Sequence, residues 1–284
     1  LIPTLLIASA LAAAIVNFTG LAGALGSYVA FVAAYLTVSF LFGMRHDKVK
    51  AVDKVMTTLV CAGFLTAFIP WVSILFTVFK RGASAIYWGY FTSDMSVTSG
   101  DDELNMGGLS HAIVGSGIIL LIASLIAIPF GIITAVYITE IKGRFSGLVR
   151  IMIQSMSGVP SIVAGLFVFT TYVSATHGPT ALGGSLALGI LMLPTVARTA
   201  EEVLKLVPDD LRSASLALGA RQWRTTLMVV LPTVRSGLIT AGILGVARVI
   251  GETAPLLLTA GSNSAFWFNP VEGPIASMPI YVFG

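Results

Sequence analysis

The 284-residue chain is 56% hydrophobic and only 10% charged, with a net charge of +3 and a mean hydropathy of +0.94. Soluble domains carry about 25% charged residues, so the composition excludes a soluble domain and points to an integral membrane protein. A single cysteine, Cys61, excludes an internal disulfide and a cysteine-rich metal site.

A spanning helix needs about 20 mostly apolar residues. The first two predicted spans are residues 1–17 and 20–43, and the first 44 residues hold no Asp, Glu, Lys, Arg or His. The chain begins with Leu and shows no basic start followed by a small-residue cleavage site, so residues 1–17 read as a clipped segment. Further spans are predicted at 55–79, 111–138, 149–173, 181–199 and 235–260. Alternating β-barrel patterning is absent, which makes the fold class all-α, a polytopic bundle of transmembrane helices. Gly158, Pro160 and Ser161 interrupt the fifth span. They serve either as a packing kink, since small residues let helices approach, or as a helix break that exposes backbone groups. Residues 261–284, with Trp267, Pro270, Pro274 and Pro279, read as an irregular or re-entrant segment. One more span, returning to the opposite face, is expected beyond them.

Basic residues set the orientation. Arg45, Lys48, Lys50 and Lys54 follow the second span; Lys142, Arg144 and Arg150 follow the fourth; a third basic region runs from Arg198 through Arg212 to Arg235. Residues 82–110 hold Asp94, Asp101, Asp102 and Glu103 without Lys or Arg, and 174–180 and 261–284 also lack both. The three basic regions are therefore cytoplasmic, and every predicted span alternates consistently. Lys80 and Arg81 break the pattern at the outer end of the third span, where snorkelling holds them.

The longest cytoplasmic connection is EEVLKLVPDDLRSASLALGARQWRTTLMVVLP, residues 201–232. Pro208 ends one helix, and Asp209 or Asp210 is placed to cap the next. Leu211, Leu216 and Leu218 make a short apolar surface, Gly219 supplies a stop, and a second short helix is predicted from about Gln222 to Pro232. Such a helical protrusion suits a groove in a partner protein. An amphipathic linker lying on the membrane is the plainer reading of a loop this long. The pattern resembles the loop of binding-protein-dependent (ABC) importer permeases built on Glu-Ala-Ala, a glycine four residues on, and a later Leu-Pro. Ala214, Gly219, Val229, Leu231 and Pro232 match it, whereas Ser213 stands for the usual Glu and Ser215 for the second Ala. The resemblance implies that residues 209–224, including Asp209, Ser213, Ala214, Gly219, Arg221, Trp223 and Arg224, dock into a cytoplasmic ATPase subunit.

Three further segments, SGVPSIVAGLF (157–167), PTVARTAEEVLKLVPDDLR (194–212) and ARVIGETAPLLLTAG (247–261), are similar to the PstA family of phosphate-transport permeases over residues 50–284. On this resemblance residues 45–284 form the permease domain, its coupling loop lies at 201–232, and residues 1–44 are extra N-terminal spans. The family implies an importer of inorganic phosphate in a plasma (inner) membrane, bacterial or archaeal. Its implied partners are a homologous permease, two cytoplasmic ATPase subunits that carry the ATP, and an extracytoplasmic phosphate-binding protein. Importers of another oxyanion, molybdate or sulfate, remain the alternative in the same class. A passive channel does not need a docking loop. An intramembrane enzyme using Glu252 as acid or base lacks a facing second group beyond Arg198.

Two charges stand inside the last predicted span, Arg248 and Glu252, four residues apart. At about 1.5 Å per residue, Arg248 lies roughly 20 Å beyond Arg235, well inside a hydrocarbon core about 30 Å thick. Intramembrane charges face a bundle interior or a watery cavity, and the spacing puts both on one helix face. The pair either tethers helices or lines the path, with Glu252 partly neutralising an anion-attracting Arg248. Weak, exchangeable binding of that kind is what transport requires, and the resemblance favours it. Pro255, three residues later, frees a backbone carbonyl. Arg198 is a second path candidate at the inner mouth, where ordinary snorkelling or a surface pair with Glu201 or Glu202 also explains it. His46, His111 and His177 have no metal-ligand partner at helical spacing and read as interfacial. No phosphate-loop motif GxxxxGK[ST] occurs, so no cofactor, metal or catalytic residue is expected in this chain.

Overall fold

The computed structural model describes residues 2–19, 23–44, 48–98, 102, 106–176 and 178–282, which are mostly helical with no strand among them. Arg45, His46, Asp101, Glu103 and His177 lie outside the described residues. By packing, the chain divides into two compact units, Leu1–Ser84 and Ala85–Gly284. This division by packing falls 40 residues after the one at residue 44 that the resemblance implies.

The first unit holds α1 (Ile2–Thr19), α2 (Ala24–Met44) and α3 (Lys48–Gly82). α1 meets α2 through buried Ala8, Ala12, Ala30 and Ala34, flanked by Ile15, Val16, Phe31 and Tyr35. In hydrocarbon no hydrophobic force drives helices together, so close approach over small side chains supplies the dispersion contact instead. α2 is pinned to α3 by Tyr28, whose hydroxyl donates to the Ala62 carbonyl at 2.7 Å and lies 2.9 Å from Thr66 Oγ1. The 35 residues of α3 extend for about 52 Å, far more than a hydrocarbon core, so its lysine-rich ends reach past the apolar middle. Lys80 and Arg81 stand in its last turn. There they complement the negative end of the helix dipole, a second reason beside snorkelling for their position.

The second unit is built on α4 (Ser110–Val136) packed along α7 (Ala181–Lys205). Ile119, Ala123, Ala127, Leu188, Met192 and Val196 form the buried seam. Glycines admit the neighbours: a methyl group on Gly131 would lie 2.8 Å from Val196 Cγ1, and one on Gly245 2.5 Å from Val196 Cγ2 and 3.1 Å from Met192 Cε. Thr180 caps α7, its hydroxyl accepting from the Gly183 amide at 3.0 Å, which satisfies one of the free N–H groups of that helix end.

Two predicted spans are not continuous. Residues 149–173 fall into α5 (Ser146–Met156) and α6 (Ser161–Val168), the latter extended by a π turn at Phe169–Val173. The two segments are bent by 104°. The chain breaks at Ser157–Pro160, and Gly158 and Pro160 lie exposed there. Proline has no amide hydrogen to continue a helix and clashes with the preceding turn, so Pro160 ends α5 and Ser161 starts α6. The last predicted span, 235–260, is likewise divided into α11 (Arg235–Val249) and α12 (Ala254–Thr259). Pro255 sits in the first turn of α12, where its missing N–H costs nothing and its fixed φ suits the start. It opens a new helix instead of freeing a carbonyl inside a continuous one. α6 and α12 cross closely, since a methyl group on Gly165 would stand 2.6 Å from Pro255 Cα.

Between α7 and α11 the chain forms α8 (Asp209–Ala217), α9 (Gln222–Thr225), a π turn at Thr226–Val230 and the short α10 (Leu231–Thr233). The run Gln222–Thr233 meets α11 at a bend of 74°. After α12, residues 261–277 are irregular and end in α13 (Met278–Tyr281). This segment folds back: the Leu182 amide donates to Pro270 O at 2.8 Å, and the Met278 amide to Ser116 Oγ at 2.8 Å. His111, read from the sequence as interfacial, lies buried in the first turn of α4 with its ring 5.5 Å from that of Tyr281. The folded-back segment covers it.

Candidate functional site

Two groups of candidate residues occupy separate parts of the second unit. The first is the protrusion made by α8 and α9. Asp209, Ser213, Ala214, Gly219, Arg221, Trp223 and Arg224 are all exposed on it. Around them Leu211 and Leu216 are half out of the protein, and Leu218 is 90% exposed. Apolar side chains exposed together in this way are what a partner surface or a membrane interface would cover. The Arg224 guanidinium stacks on the Trp223 ring, 5.2 Å from its centroid. Gly219 follows α8 with φ of +82°, the left-handed conformation that glycine adopts without a Cβ clash.

The expected capping differs in detail. Pro208, not an aspartate, occupies the capping position of α8, and no side chain caps it. Asp209 and Asp210 stand in the first turn, where negative charge still complements the helix dipole. Asp209 Oδ1 receives Arg212 Nη1 at 3.0 Å. Ser213, which stands where the family has Glu, donates to the Asp209 carbonyl at 2.9 Å within its own helix.

Behind the protrusion lies a polar cleft of about 630 Å³, lined by Glu140, Lys142, Arg150, Lys205, Arg212 and Gln222 among others. Its floor is Glu140, a buried carboxylate placed by a π turn at Tyr137–Ile141 that closes α4 and ends at left-handed Lys142. Arg212 reaches both its oxygens, at 2.8 and 3.2 Å. The Glu140 hydrogen bond and charge hold the Arg212 guanidinium more firmly protonated than usual, against the opposing effect of burial. Removing one partner of such a buried pair leaves an uncompensated charge, at about 3–5 kcal/mol. Gln222 Nε2 donates to the Glu140 carbonyl at 2.6 Å, and Ser215 and Thr225 share a hydroxyl–hydroxyl bond of 2.9 Å between α8 and α9. Glu140 did not stand among the predicted site residues, and Arg212 and Gln222 were covered only by the docking range 209–224. A signal was present: Glu140 is the sole carboxylate between Glu103 and Glu201, beside Lys142, Arg144 and Arg150.

The second group is Arg248 with Glu252. Arg248 stands in the last turn of α11 and Glu252 in the break before α12. They do pair, Arg248 Nη1 with Glu252 Oε1, but across a helix end, not along one continuous helix face. The carbonyls at the end of α11 favour a cation at Arg248. Its side chain is 54% exposed while that of Glu252 is 16% exposed, so the carboxylate is sheltered and the guanidinium presents itself outward. Arg198 is not brought to this pair. It is exposed on α7, and the carboxylates expected to hold it are engaged elsewhere: Glu201 with Arg150 at 2.9 Å and Lys205 at 3.0 Å, Glu202 with Lys205 at 2.8 Å. Among the described residues Arg198 forms none of the ion pairs, and no group of His, Cys, Asp and Glu is arranged to hold a metal.

Residues 127–273 match the model of the family described as binding-protein-dependent transport system inner membrane component. The matched region runs from the middle of α4 through α12 into the folded-back segment, and includes both groups of candidate residues. The phosphate transport system permease protein PstA of Mycobacterium leprae is 39% identical over 238 residues, 81% of this chain and 76% of that protein. The PstA protein of Pasteurella multocida is 38% identical over 240 residues, 82% of each chain, and that of Haemophilus influenzae 38% identical over 212 residues, 74% of this chain and 73% of that protein. The helices, the apolar composition and these likenesses together describe a multi-pass membrane transport subunit: the chain belongs to the binding-protein-dependent transport system inner membrane components and, within them, to the PstA permeases.

Proposed function

We propose that this chain is the permease subunit of an ATP-driven importer that carries inorganic phosphate across the plasma membrane of a bacterium. The relatives are named for phosphate transport. The observation that carries the reading is Arg248: an outward-facing guanidinium at a helix break, in a segment otherwise apolar, with a sheltered carboxylate beside it. A bare cation in a low-dielectric site would hold a phosphate too tightly to release it. Glu252 offsets part of that charge and fixes the orientation of the guanidinium, leaving donors free for an anion. The helix end adds flexibility where a path must open and close, as in transporters with interrupted helices. Arg198 then acts as a lesser attraction at the inner mouth.

In this scheme α8 and α9 dock into a nucleotide-binding subunit, so that ATP is bound and hydrolysed on a partner and this chain needs no cofactor. A homologous permease completes the path, and a phosphate-binding protein delivers substrate outside. Ser213 cannot provide the carboxylate contact expected of the family's Glu, and the exposed Leu218, Trp223 and Arg224 take over the larger share of docking.

The test is uptake of labelled phosphate by vesicles carrying the full complex, wild type against Arg248→Gln, with ATP hydrolysis and assembly followed in parallel. An assembled, hydrolysing complex that loses uptake at least about tenfold agrees with an anion contact worth at least about 1.4 kcal/mol. Unchanged uptake makes Arg248 and Glu252 a structural pair. Competition by molybdate or sulfate that exceeds competition by unlabelled phosphate replaces the substrate while leaving the transport scheme intact.

A further inference from the structure

The Arg212 guanidinium has five N–H donors, and the structure occupies all of them. Nε donates to Glu140 Oε2 at 3.2 Å and Nη2 to Glu140 Oε1 at 2.8 Å. The second hydrogen of Nη2 goes to Leu204 O at 3.0 Å, and Nη1 serves Val207 O at 2.6 Å and Asp209 Oδ1 at 3.0 Å. One planar group on α8 therefore holds the closing π turn of α4 through Glu140, the last turn of α7 through the Leu204 carbonyl, and the link that follows α7 through Val207. The Glu140 carbonyl also receives Gln222 from α9, and Ser215 joins α8 to α9. The exposed Asp209 contact matters least, since solvent screens it; the buried Glu140 contact and the carbonyl caps matter most.

We propose that Arg212 is a positioning residue for energy coupling: it clamps the α8–α9 protrusion to the ends of α4 and α7, so that a push on the protrusion moves both helices together. α4 and α7 share the main buried seam of the second unit, so displacing both at once shifts that seam as a body and does not merely bend the loop. This rests on reading α8 and α9 as the segment that docks into the ATPase. The geometry demands arginine in particular. Lysine keeps the charge but offers three donors on a point charge without the planar fork, one fewer than the four acceptors formed by the two Glu140 oxygens and the Leu204 and Val207 carbonyls.

The experiment compares wild type, Arg212→Lys and Glu140→Gln in the assembled complex, reading phosphate moved per ATP hydrolysed and amide hydrogen exchange of α8 and of residues 137–141. The expected result is an assembled Arg212→Lys complex that still hydrolyses ATP but moves at least about tenfold less phosphate per ATP, with faster exchange in α8 and residues 137–141 alike. A merely structural role would lower assembly and both activities in proportion, leaving the ratio unchanged; an unchanged ratio overturns the proposal. If Arg212→Lys does not assemble, the ratio in Glu140→Gln decides in the same way. If the wild type moves no phosphate, the importer reading falls, and exchange alone then decides: joint loosening of α8 and 137–141 supports the clamp, and loosening of α8 by itself overturns it.

Discussion

Gly245 lies where α11 crosses α7, and its missing side chain is what lets Val196 and Met192 fill the space. Gly245→Ala forces a methyl group to within 2.5 Å of Val196 Cγ2. Overpacking of this size costs about 1–3 kcal/mol, so the variant is expected to melt several degrees below wild type in detergent, read by circular dichroism or dye binding. An unchanged melting curve would mean that Val196 swings aside without cost. Such a glycine is hard to single out from sequence, because 29 glycines are spread along an apolar chain and only the crossing shows which ones touch. The charged residues were easier to find. Arg248 and Glu252 stand out against apolar neighbours, and the structure does pair them.

At the scale of elements, the turn between α8 and α9 is the most exacting piece of backbone in the protrusion. Gly219 at φ +82° permits the chain to reverse so that Ser215 meets Thr225 and Gln222 meets Glu140. Gly219→Ala places a Cβ against the preceding carbonyl in a left-handed residue, at about 1–2 kcal/mol. Nothing lies within 4 Å of the position such a methyl group would take, so the effect is confined to backbone strain. The expected outcome is a normally folded permease whose affinity for the nucleotide-binding subunit falls by about tenfold, the same free energy expressed in docking. Binding equal to wild type would show that the turn tolerates the strain. The existence of this helix–glycine–helix unit was plain from Pro208, Gly219 and the leucine spacing. Its capping was not, because Asp209 bonds to Arg212 when a capping role was also open to it.

Taken as a whole molecule, the chain exposes apolar side chains both along its long apolar helices and on the basic protrusion. Leu218 and Trp223 belong to the second kind. Leu218→Asp is expected to abolish copurification with a nucleotide-binding subunit while leaving the melting temperature of the permease unchanged, since the residue is 90% exposed and a charge there stays in solvent. Retained copurification would move the docking surface elsewhere on the basic face.

Composition and patterning by themselves determined that the chain is an all-α membrane protein, roughly where its helices run, and which of its connections are basic, because each of these follows from local hydropathy and the positions of Lys and Arg. The protrusion and its family were equally legible, since glycine and proline spacing records backbone geometry directly. Continuity of the spans was not. Hydropathy over residues 149–173 and 235–260 is satisfied equally by one long helix or by two; Pro160 and Pro255 mark where a break can fall, and tertiary packing, with Gly165 against Pro255, holds the broken forms. The clamp at Arg212 also belongs to the tertiary structure. Glu140 and Arg212 are 72 residues apart in sequence, and a pairing at that separation is set by how α4 lies along α7 and by the π turn that aims the carboxylate, neither of which leaves a periodic trace in the chain.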